Sequence, residues 1–333
     1  MTTTHPPVRK LREARTAQGS APVRLAALPA DPRPVAITDL TVRTDDGALL
    51  TVALHRPAGE PAQGEATGGR DEATGTPDAG PVIVLAHGWA ASRAVWHTTA
   101  TLLAGAGHTV ASYDQRGHAT STGESGSVSI ERLAQDLGAV VDAVAGTRPV
   151  VVVGHSGGGY AALAYAARLH AEQPETAADR LVGLVLASTA AHGQETPANE
   201  VSMMGSKKFS RALGIGWLGR RLLGKTHGPA ATFEARERSR HLFATTRPAI
   251  RAAFFASTQD MDQRDGLPRI DTPTTVVTGT LDKIVDPSHS RTLQQHLPQA
   301  TLHTIADAGH MLPLECPQQL AEHARALATR AAR

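Results

Sequence analysis

The sequence predicts an α/β protein in which a mostly parallel sheet is flanked by helices, with a helical segment inserted late in the chain. From residue 82 onward, short β-branched runs alternate with helical patterns, as they do in the βαβ units that build a parallel sheet. The chain has 333 residues, of which 41% are hydrophobic and 19% are charged. This composition is typical of a globular protein with a large core.

The first part of the chain lies outside this alternation. We predict a flexible or surface-wrapped tail over residues 1–36, which are rich in proline, arginine and alanine. Residues 37–42 and 49–55 are strand-like and are joined through Asp45-Asp46-Gly47, a hairpin signal. They would add antiparallel strands at one edge of the sheet. Residues 58–80, rich in small and polar residues, are predicted to be a disordered loop.

The predicted core comprises residues 37–191 and 268–333. Its helices show one apolar face; in the segment 129–145, Ile130, Leu133 and Leu137 recur at helical spacing. The strands of the alternating part are predicted at 82–86, 109–113, 150–153, 181–187, 274–278 and 301–305, and its helices at 94–106, 129–145, 158–171, 287–296 and 317–331.

A serine between a strand and a helix is the most informative motif. The run Val150–Val153 leads directly into Gly154-His155-Ser156-Gly157-Gly158. The Gly-x-Ser-x-Gly pattern in this context predicts a nucleophile elbow, a strained turn that exposes the serine hydroxyl above the sheet. A glycine-rich phosphate loop is the alternative, but such a loop is expected in the first strand–helix unit, and this motif comes late in the chain.

A serine nucleophile needs a base, and the base needs an orienting acid. After an elbow the expected chain order is Ser, then Asp or Glu, then His. Asp282 follows the predicted strand 274–278, and His310 follows the strand 301–305. Both therefore lie past the carboxyl ends of strands, where open α/β sheets build their sites. We predict Asp282 as the acid and His310 as the base; the competing acids are Asp286 and Asp307.

The reaction also needs donors for an oxyanion. The backbone N–H of Gly157, directly after the serine, is one predicted donor. The loop His87-Gly88-Trp89 follows the strand 82–86 and supplies the other, the backbone N–H of Trp89. We interpret His87 as a structural histidine that braces this loop.

Taken together, these motifs resemble those of α/β-hydrolases of the serine esterase, lipase and monoacylglycerol-lipase-like group. The matching pieces are His87-Gly88-Trp89, Asp114-Gln115-Arg116-Gly117-His118, the elbow, Asp282 and Gly309-His310, in the order of that group. One departure is Ala119, where the group often has a second glycine. The resemblance implies a Ser156-His310-Asp282 triad that cleaves a carboxylic ester through an acyl-enzyme, with no metal or organic cofactor.

The inserted segment, residues 192–267, would lie over the active site as a helical cap if the resemblance holds. It contains all five phenylalanines of the chain. Two interpretations stay open: these aromatic residues form the cap's own core, or Phe209, Trp217, Phe254 and Phe255 line an apolar substrate pocket. The cap is also rich in Lys and Arg, which indicates either a solvated helix face or a surface that attracts anionic lipid or a phosphopantetheine-type carrier.

Composition excludes several classes of function. A formal net charge of +2 is too small to indicate nucleic-acid binding. The single cysteine, Cys316, excludes an internal disulfide. No apolar run approaches the roughly 20 residues of a membrane span, and residues 1–20 lack the apolar stretch of a secretory signal. We therefore expect a bacterial cytoplasmic enzyme acting on a small-molecule ester. A thioesterase, a lactonase, a carbon–carbon bond hydrolase and a non-catalytic binding protein on the same fold are the alternatives.

Overall fold

Eight strands form a single sheet in the order β1-β2-β4-β3-β5-β6-β7-β8. The computed structural model describes residues 27–58, 80–193, 198–259 and 261–331; the predictions for residues 1–26 and 59–79 lie outside these ranges. The strands are β1 Val35–Arg43, β2 Leu49–Pro57, β3 Val82–Ala86, β4 Val110–Tyr113, β5 Val150–His155, β6 Leu181–Ala187, β7 Thr274–Gly279 and β8 Ala300–Ile305.

The sheet is parallel except at one edge. β1 and β2 form an antiparallel hairpin, and β2 pairs antiparallel with β4. The hairpin turn contains Gly47, whose φ of +86° explains why a glycine occupies it. All further neighbours, from β4 through β8, pair in parallel. The predicted α/β class, with a mostly parallel sheet and an antiparallel edge, is confirmed.

Helices cover both faces of the sheet. Alternate residues of a strand point to opposite faces, so Val150 and Val152 belong to one buried cluster and Val151 and Val153 to the other. The first cluster is closed by helices α2, α3 and α10, and the second by α1 and α12. The core helices are α1 His97–Gly105, α2 Ile130–Ala145, α3 Gly157–Glu172, α4 Ala177–Arg180, α10 Pro287–His296, α11 Leu312–Glu315 and α12 Pro317–Ala331.

The helix predicted at 94–106 begins later in the structure, at His97. Residues 93–96 form a 3₁₀ turn before α1 starts at His97. The hydroxyl of Ser92 accepts a hydrogen bond from the backbone N–H of Ala94, which caps this tighter turn. The end of the predicted tail is ordered against α1, since the backbone N–H of Arg33 donates to the carbonyl of Gly105 at 2.9 Å.

Between β6 and β7, where the sequence predicts the cap, the described residues form five α-helices. They are α5 Ala198–Met204, α6 Lys207–Gly214, α7 Gly216–Leu222, α8 Phe233–Thr245 and α9 Pro248–Ser257. Where the chain leaves the core and returns to it, His192 and Asp262 form an antiparallel bridge. Among the described residues, no helix is long and apolar enough to cross a membrane.

A buried arginine joins the cap helices. Arg251 is fully buried, and its guanidinium donates to the carbonyls of Met204, Phe243 and Thr246 and to the hydroxyl of Ser210. These acceptors come from the ends of α5 and α8 and from α6. Because a buried cation is costly unless its donors are paired, this set of acceptors fixes the helices around one side chain.

Candidate active site

Ser156 lies at a strained turn between β5 and α3. Its backbone has φ 52° and ψ −119°, a conformation that costs a non-glycine residue roughly 1–3 kcal/mol. Two backbone contacts hold it: the N–H of Ser156 donates to the carbonyl of Ala187 at 2.9 Å, and the hydroxyl of Thr189 donates to the carbonyl of Ser156 at 2.8 Å.

The two glycines of the elbow allow the strand and helix to approach closely. A Cβ on Gly154 would lie 2.6 Å from the carbonyl oxygen of Gly158, and a Cβ on Gly158 would lie 2.2 Å from that of Ala86. Both distances are shorter than any real Cβ contact. The Gly-x-Ser-x-Gly spacing is therefore required by packing, and it places Ser156 at the N-terminus of α3.

Asp282 and His310 meet past the ends of β7 and β8. The Nδ1 of His310 lies 3.0 Å from Oδ2 of Asp282, and both side chains are buried. The other carboxylate oxygen of Asp282 accepts hydrogen bonds from the backbone N–H groups of Ile284 and Val285, each at 2.9 Å. Since Asp282 accepts at Nδ1, the neutral ring carries its proton there, and Nε2 is left as the base.

The environment keeps Asp282 charged. Burial acts to raise the pKa of its carboxyl, but His310 and the two backbone N–H donors outweigh burial and hold the pKa below its ordinary value. An ionised carboxylate at this position fixes the tautomer of His310 and would stabilise an imidazolium.

The competing acids have other contacts. Asp286 caps α10, accepting a hydrogen bond from the backbone N–H of Ser288 at 2.8 Å. Asp307 is exposed with a φ of +60°, and its backbone N–H donates to the hydroxyl of Thr280. Among the described residues, Asp282 is the acid within hydrogen-bond distance of the His310 ring.

The loop with the predicted oxyanion donor lies beside the elbow. A Cβ on Gly157 would lie 3.3 Å from the backbone nitrogen of Trp89, and a Cβ on Gly88 would lie 3.0 Å from Cβ of Ser156. The two predicted donors, the N–H groups of Trp89 and Gly157, are thus neighbours next to Ser156. Gly157 is the first residue of α3, and a helix N-terminus favours negative charge.

His87 braces this loop from below. Its Nε2 accepts a hydrogen bond from the backbone N–H of Gln115 at 2.9 Å, so its Nδ1 carries the proton and donates to the carbonyl of Gly88 at 2.7 Å. Complete burial lowers the pKa of His87 to about 4, which keeps the ring neutral. These contacts agree with the structural interpretation of His87.

Two further residues hold the loop of His310, and the sequence gives no pattern that indicates them. The carboxylate of Glu315 accepts hydrogen bonds from the backbone N–H groups of Gly309 at 2.9 Å and Met311 at 3.0 Å, on either side of His310. The Nε2 of His155 donates to the carbonyl of His310 at 2.8 Å. Three backbone groups around the base are thereby fixed by side chains.

A small, mostly apolar cavity of about 100 Å³ opens onto Ser156. Of the four predicted pocket residues, Phe254 and Phe255 line it. Phe209 and Trp217 lie outside its lining, since they belong to α6 and α7; of the described helices between β6 and β7, α9 supplies the aromatic lining residues. The lining residues are Trp89, Ser156, Gly157, Tyr160, Phe254, Phe255, Thr258, Gln259, Ile284 and Val285.

Residues 77–317 match the protein family described as serine aminopeptidase, S33. The chain belongs to this family. It is thus a hydrolase, with the eight-stranded sheet of the α/β-hydrolase fold, and the predicted resemblance to serine esterases and lipases is confirmed at this level.

Two curated relatives and one solved structure are similar to this S33-family hydrolase. It is 37% identical over 103 residues to a monoacylglycerol lipase of Mycolicibacterium smegmatis, and 38% identical over 89 residues to a non-heme haloperoxidase of Rhodococcus erythropolis. These matches span 37% and 32% of the relatives' lengths. A thermophilic esterase from Thermogutta terrifontis superposes with a TM-score of 0.68 at 25% identity, over 90% of this chain and 100% of the esterase.

Proposed function

We propose that this S33-family hydrolase cleaves carboxylic esters through an acyl-enzyme formed on Ser156. The observation that carries the proposal is the 3.0 Å contact between His310 Nδ1 and Asp282 Oδ2, in a fold whose elbow holds Ser156 at φ 52°. His310 Nε2 accepts the proton of the Ser156 hydroxyl as the serine oxygen attacks the ester carbonyl. The same proton then passes to the leaving alcohol, and water hydrolyses the acyl-enzyme with His310 again acting as base.

The negative charge that develops on the carbonyl oxygen is stabilised by the backbone N–H groups of Trp89 and Gly157. Backbone donors of this kind cost no reorganisation during the reaction, and one such donor contributes on the order of 10²–10³ to kcat. Support comes from the position of Gly157 at the start of α3, where an added Cβ would lie 3.3 Å from the backbone nitrogen of Trp89.

The acyl group is short. A cavity of about 100 Å³ is well below the roughly 300–1,000 Å³ of pockets that hold drug-sized ligands. Phe254, Phe255 and Trp89 form aromatic walls at the nucleophile. Acetyl and butyryl esters therefore suit the site better than long-chain esters.

An ester is favoured over the amino-terminal peptide bond that the family's description names. An aminopeptidase must recognise a substrate ammonium, and a carboxylate is the usual counter-charge for such a group. Among the described residues that line the cavity, none is Asp or Glu. The apolar lining is a better match for an uncharged acyl group.

Fluorophosphonate labelling with peptide mapping tests the proposal, together with turnover of p-nitrophenyl esters from acetate to palmitate and of aminoacyl p-nitroanilides. We expect label on Ser156, turnover of the short esters, and loss of both in Ser156→Ala. Ser188→Ala is the matched control, because Ser188 is also buried, follows a strand and has a positive φ of 46°; it should keep label and turnover. Turnover of the anilides alone would assign a peptidase, and absence of label from Ser156 would favour a non-catalytic binding protein.

A further inference from the structure

The outer face of the cap exposes large apolar side chains. We use the name cap outer face for the exposed side chains of α6, α7 and the start of α8. Trp217 and Phe233 are each 67% exposed, and Ile215 and Leu222 are also exposed. An exposed tryptophan is uncommon on a protein surface that meets only water.

These apolar side chains are not part of the cap's own core. The cap interior is filled by Leu213 and Leu223, which are buried. Gly219 also faces inward, because a Cβ there would lie 2.4 Å from the carbonyl oxygen of Leu213. α6 and α7 are therefore already in close contact through this side, and the exposed ring of Trp217, two residues before Gly219 on α7, points away from it.

The same face is strongly basic. Between Ser202 and Phe233 the sequence has no Asp or Glu. Five exposed side chains of this span make no ion pair with any described residue. They are Lys207, Lys208, Arg211, Arg221 and Lys225. Their positive charge is thus available to an external anion.

The aromatic and basic groups are interleaved. Trp217, Arg220 and Arg221 are spaced i, i+3 and i+4 on α7, so they share one side of the helix. The guanidinium of Arg220 lies 5.1 Å from the ring centroid of Phe233. The first residue of α8 therefore lies beside the Arg220 side chain of α7. Arg220 is held there by Glu237 at 2.9 Å.

We propose that the cap outer face docks on the surface of an anionic lipid bilayer. Tryptophan and phenylalanine side chains insert at the boundary between headgroups and acyl chains, and neighbouring Lys and Arg bind acidic headgroups. Each such cation strengthens binding to an anionic membrane about fivefold. The combination of exposed aromatic rings with unpaired cations matches a membrane surface, which offers both an apolar layer and negative charge. Docking does not depend on the proposed ester hydrolysis.

Vesicle binding of the full chain tests this proposal. The vesicles are phosphatidylcholine alone or phosphatidylcholine mixed with phosphatidylglycerol, and co-sedimentation gives the partition coefficient. We expect binding to the mixed vesicles that weakens with added salt, and little binding to phosphatidylcholine. Ser156→Ala should bind equally, so the result is independent of catalysis.

Single substitutions locate the face. Arg221→Gln should lower the partition coefficient about fivefold, the loss expected for one cation, and Trp217→Ala should lower it at least as much. Ile37→Ala and Arg43→Gln remove an exposed apolar side chain and an exposed cation from β1 and should leave binding unchanged. Absence of binding to the mixed vesicles at low salt would overturn the proposal. Binding that Trp217→Ala leaves intact would also overturn it, because the protein would then bind the vesicles by charge alone, as it would bind any polyanion.

Discussion

The indole Nε1–H of Trp89 donates a 2.8 Å hydrogen bond to the backbone carbonyl of Arg251. Trp89 belongs to the loop after β3, beside Ser156, and Arg251 belongs to cap helix α9. The Trp89 ring also packs against Phe243 and Phe255, with centroids 4.7 and 5.1 Å away. The residue whose backbone N–H is proposed to bind the oxyanion is therefore held in place by the cap.

Trp89→Phe tests this connection. Phenylalanine keeps the backbone donor and most of the ring packing, but it removes the indole donor of the hydrogen bond to the Arg251 carbonyl, at a cost of about 0.5–1.5 kcal/mol. We expect kcat for a short ester to fall about tenfold, since 1.4 kcal/mol of transition-state stabilisation corresponds to that factor. Steady-state kinetics measure the effect. Trp217→Phe, a change at an exposed tryptophan, is the control; an equal loss there would contradict the assignment.

Glu315 is expected to position the base. Glu315→Gln removes the charge and one of the two acceptor oxygens that bind Gly309 and Met311, and hydrogen bonds to a charged group contribute about 1.5–3 kcal/mol. We expect kcat to fall about 10- to 100-fold, while KM changes by less than about twofold because the substrate cavity is untouched. Glu322→Gln, at a half-buried position of α12 away from this loop, should behave as wild type. An unchanged kcat in Glu315→Gln would show that the loop keeps its geometry without the carboxylate.

Phe255 should limit the acyl chain. Phe255→Ala removes a ring from the wall of the 100 Å³ cavity, so the preferred p-nitrophenyl ester should shift toward longer acyl groups. The full ester panel, read as kcat/KM, measures the shift. Phe209→Ala makes the same chemical change outside the cavity lining and should keep the wild-type profile. If Phe209→Ala shifted the profile and Phe255→Ala did not, α6 rather than α9 would form the pocket.

Acid should destabilise the fold through buried histidines, among them three that lie around the candidate site. Burial lowers the pKa of His87 to about 4 and those of His118 and His155 to about 3, from an ordinary value of 6.5. Between pH 6.5 and about 4 the unfolded chain therefore binds more protons than the folded protein, and the free energy of unfolding falls as the pH falls. Each histidine contributes a slope of up to about 1.4 kcal/mol per pH unit.

Urea unfolding at a series of pH values measures this slope. His118→Gln removes one titrating group. The free energy of unfolding should then fall less steeply with falling pH, by the amount that corresponds to about one bound proton. The control is His296→Gln, an exposed histidine of α10, which should leave the slope unchanged. A free energy of unfolding that stays constant from pH 6.5 to 4 would mean that these histidines are charged in the folded protein.

The sequence by itself determined the order of strands and helices and indicated the candidate residues of the site. β-branched runs, helical periodicity and the glycine spacing of the elbow are local signals, and so β6, α10 and α12 have the predicted bounds. Ser156, Asp282 and His310 were predicted because each follows a strand end, and parallel strands bring their carboxyl ends to one edge.

Tertiary structure alone decided which side chains surround that chemistry. Phe254 and Phe209 both lie in helical segments of the cap, yet one lines the cavity and the other does not. The path of α9 over the elbow depends on packing among distant helices. The hydrogen bond of Trp89 with Arg251 likewise joins two segments whose approach is set by the whole core. Strand and helix patterns report local burial; contacts between side chains and distant backbone groups carry no such periodic signal, so they become visible only in the folded molecule.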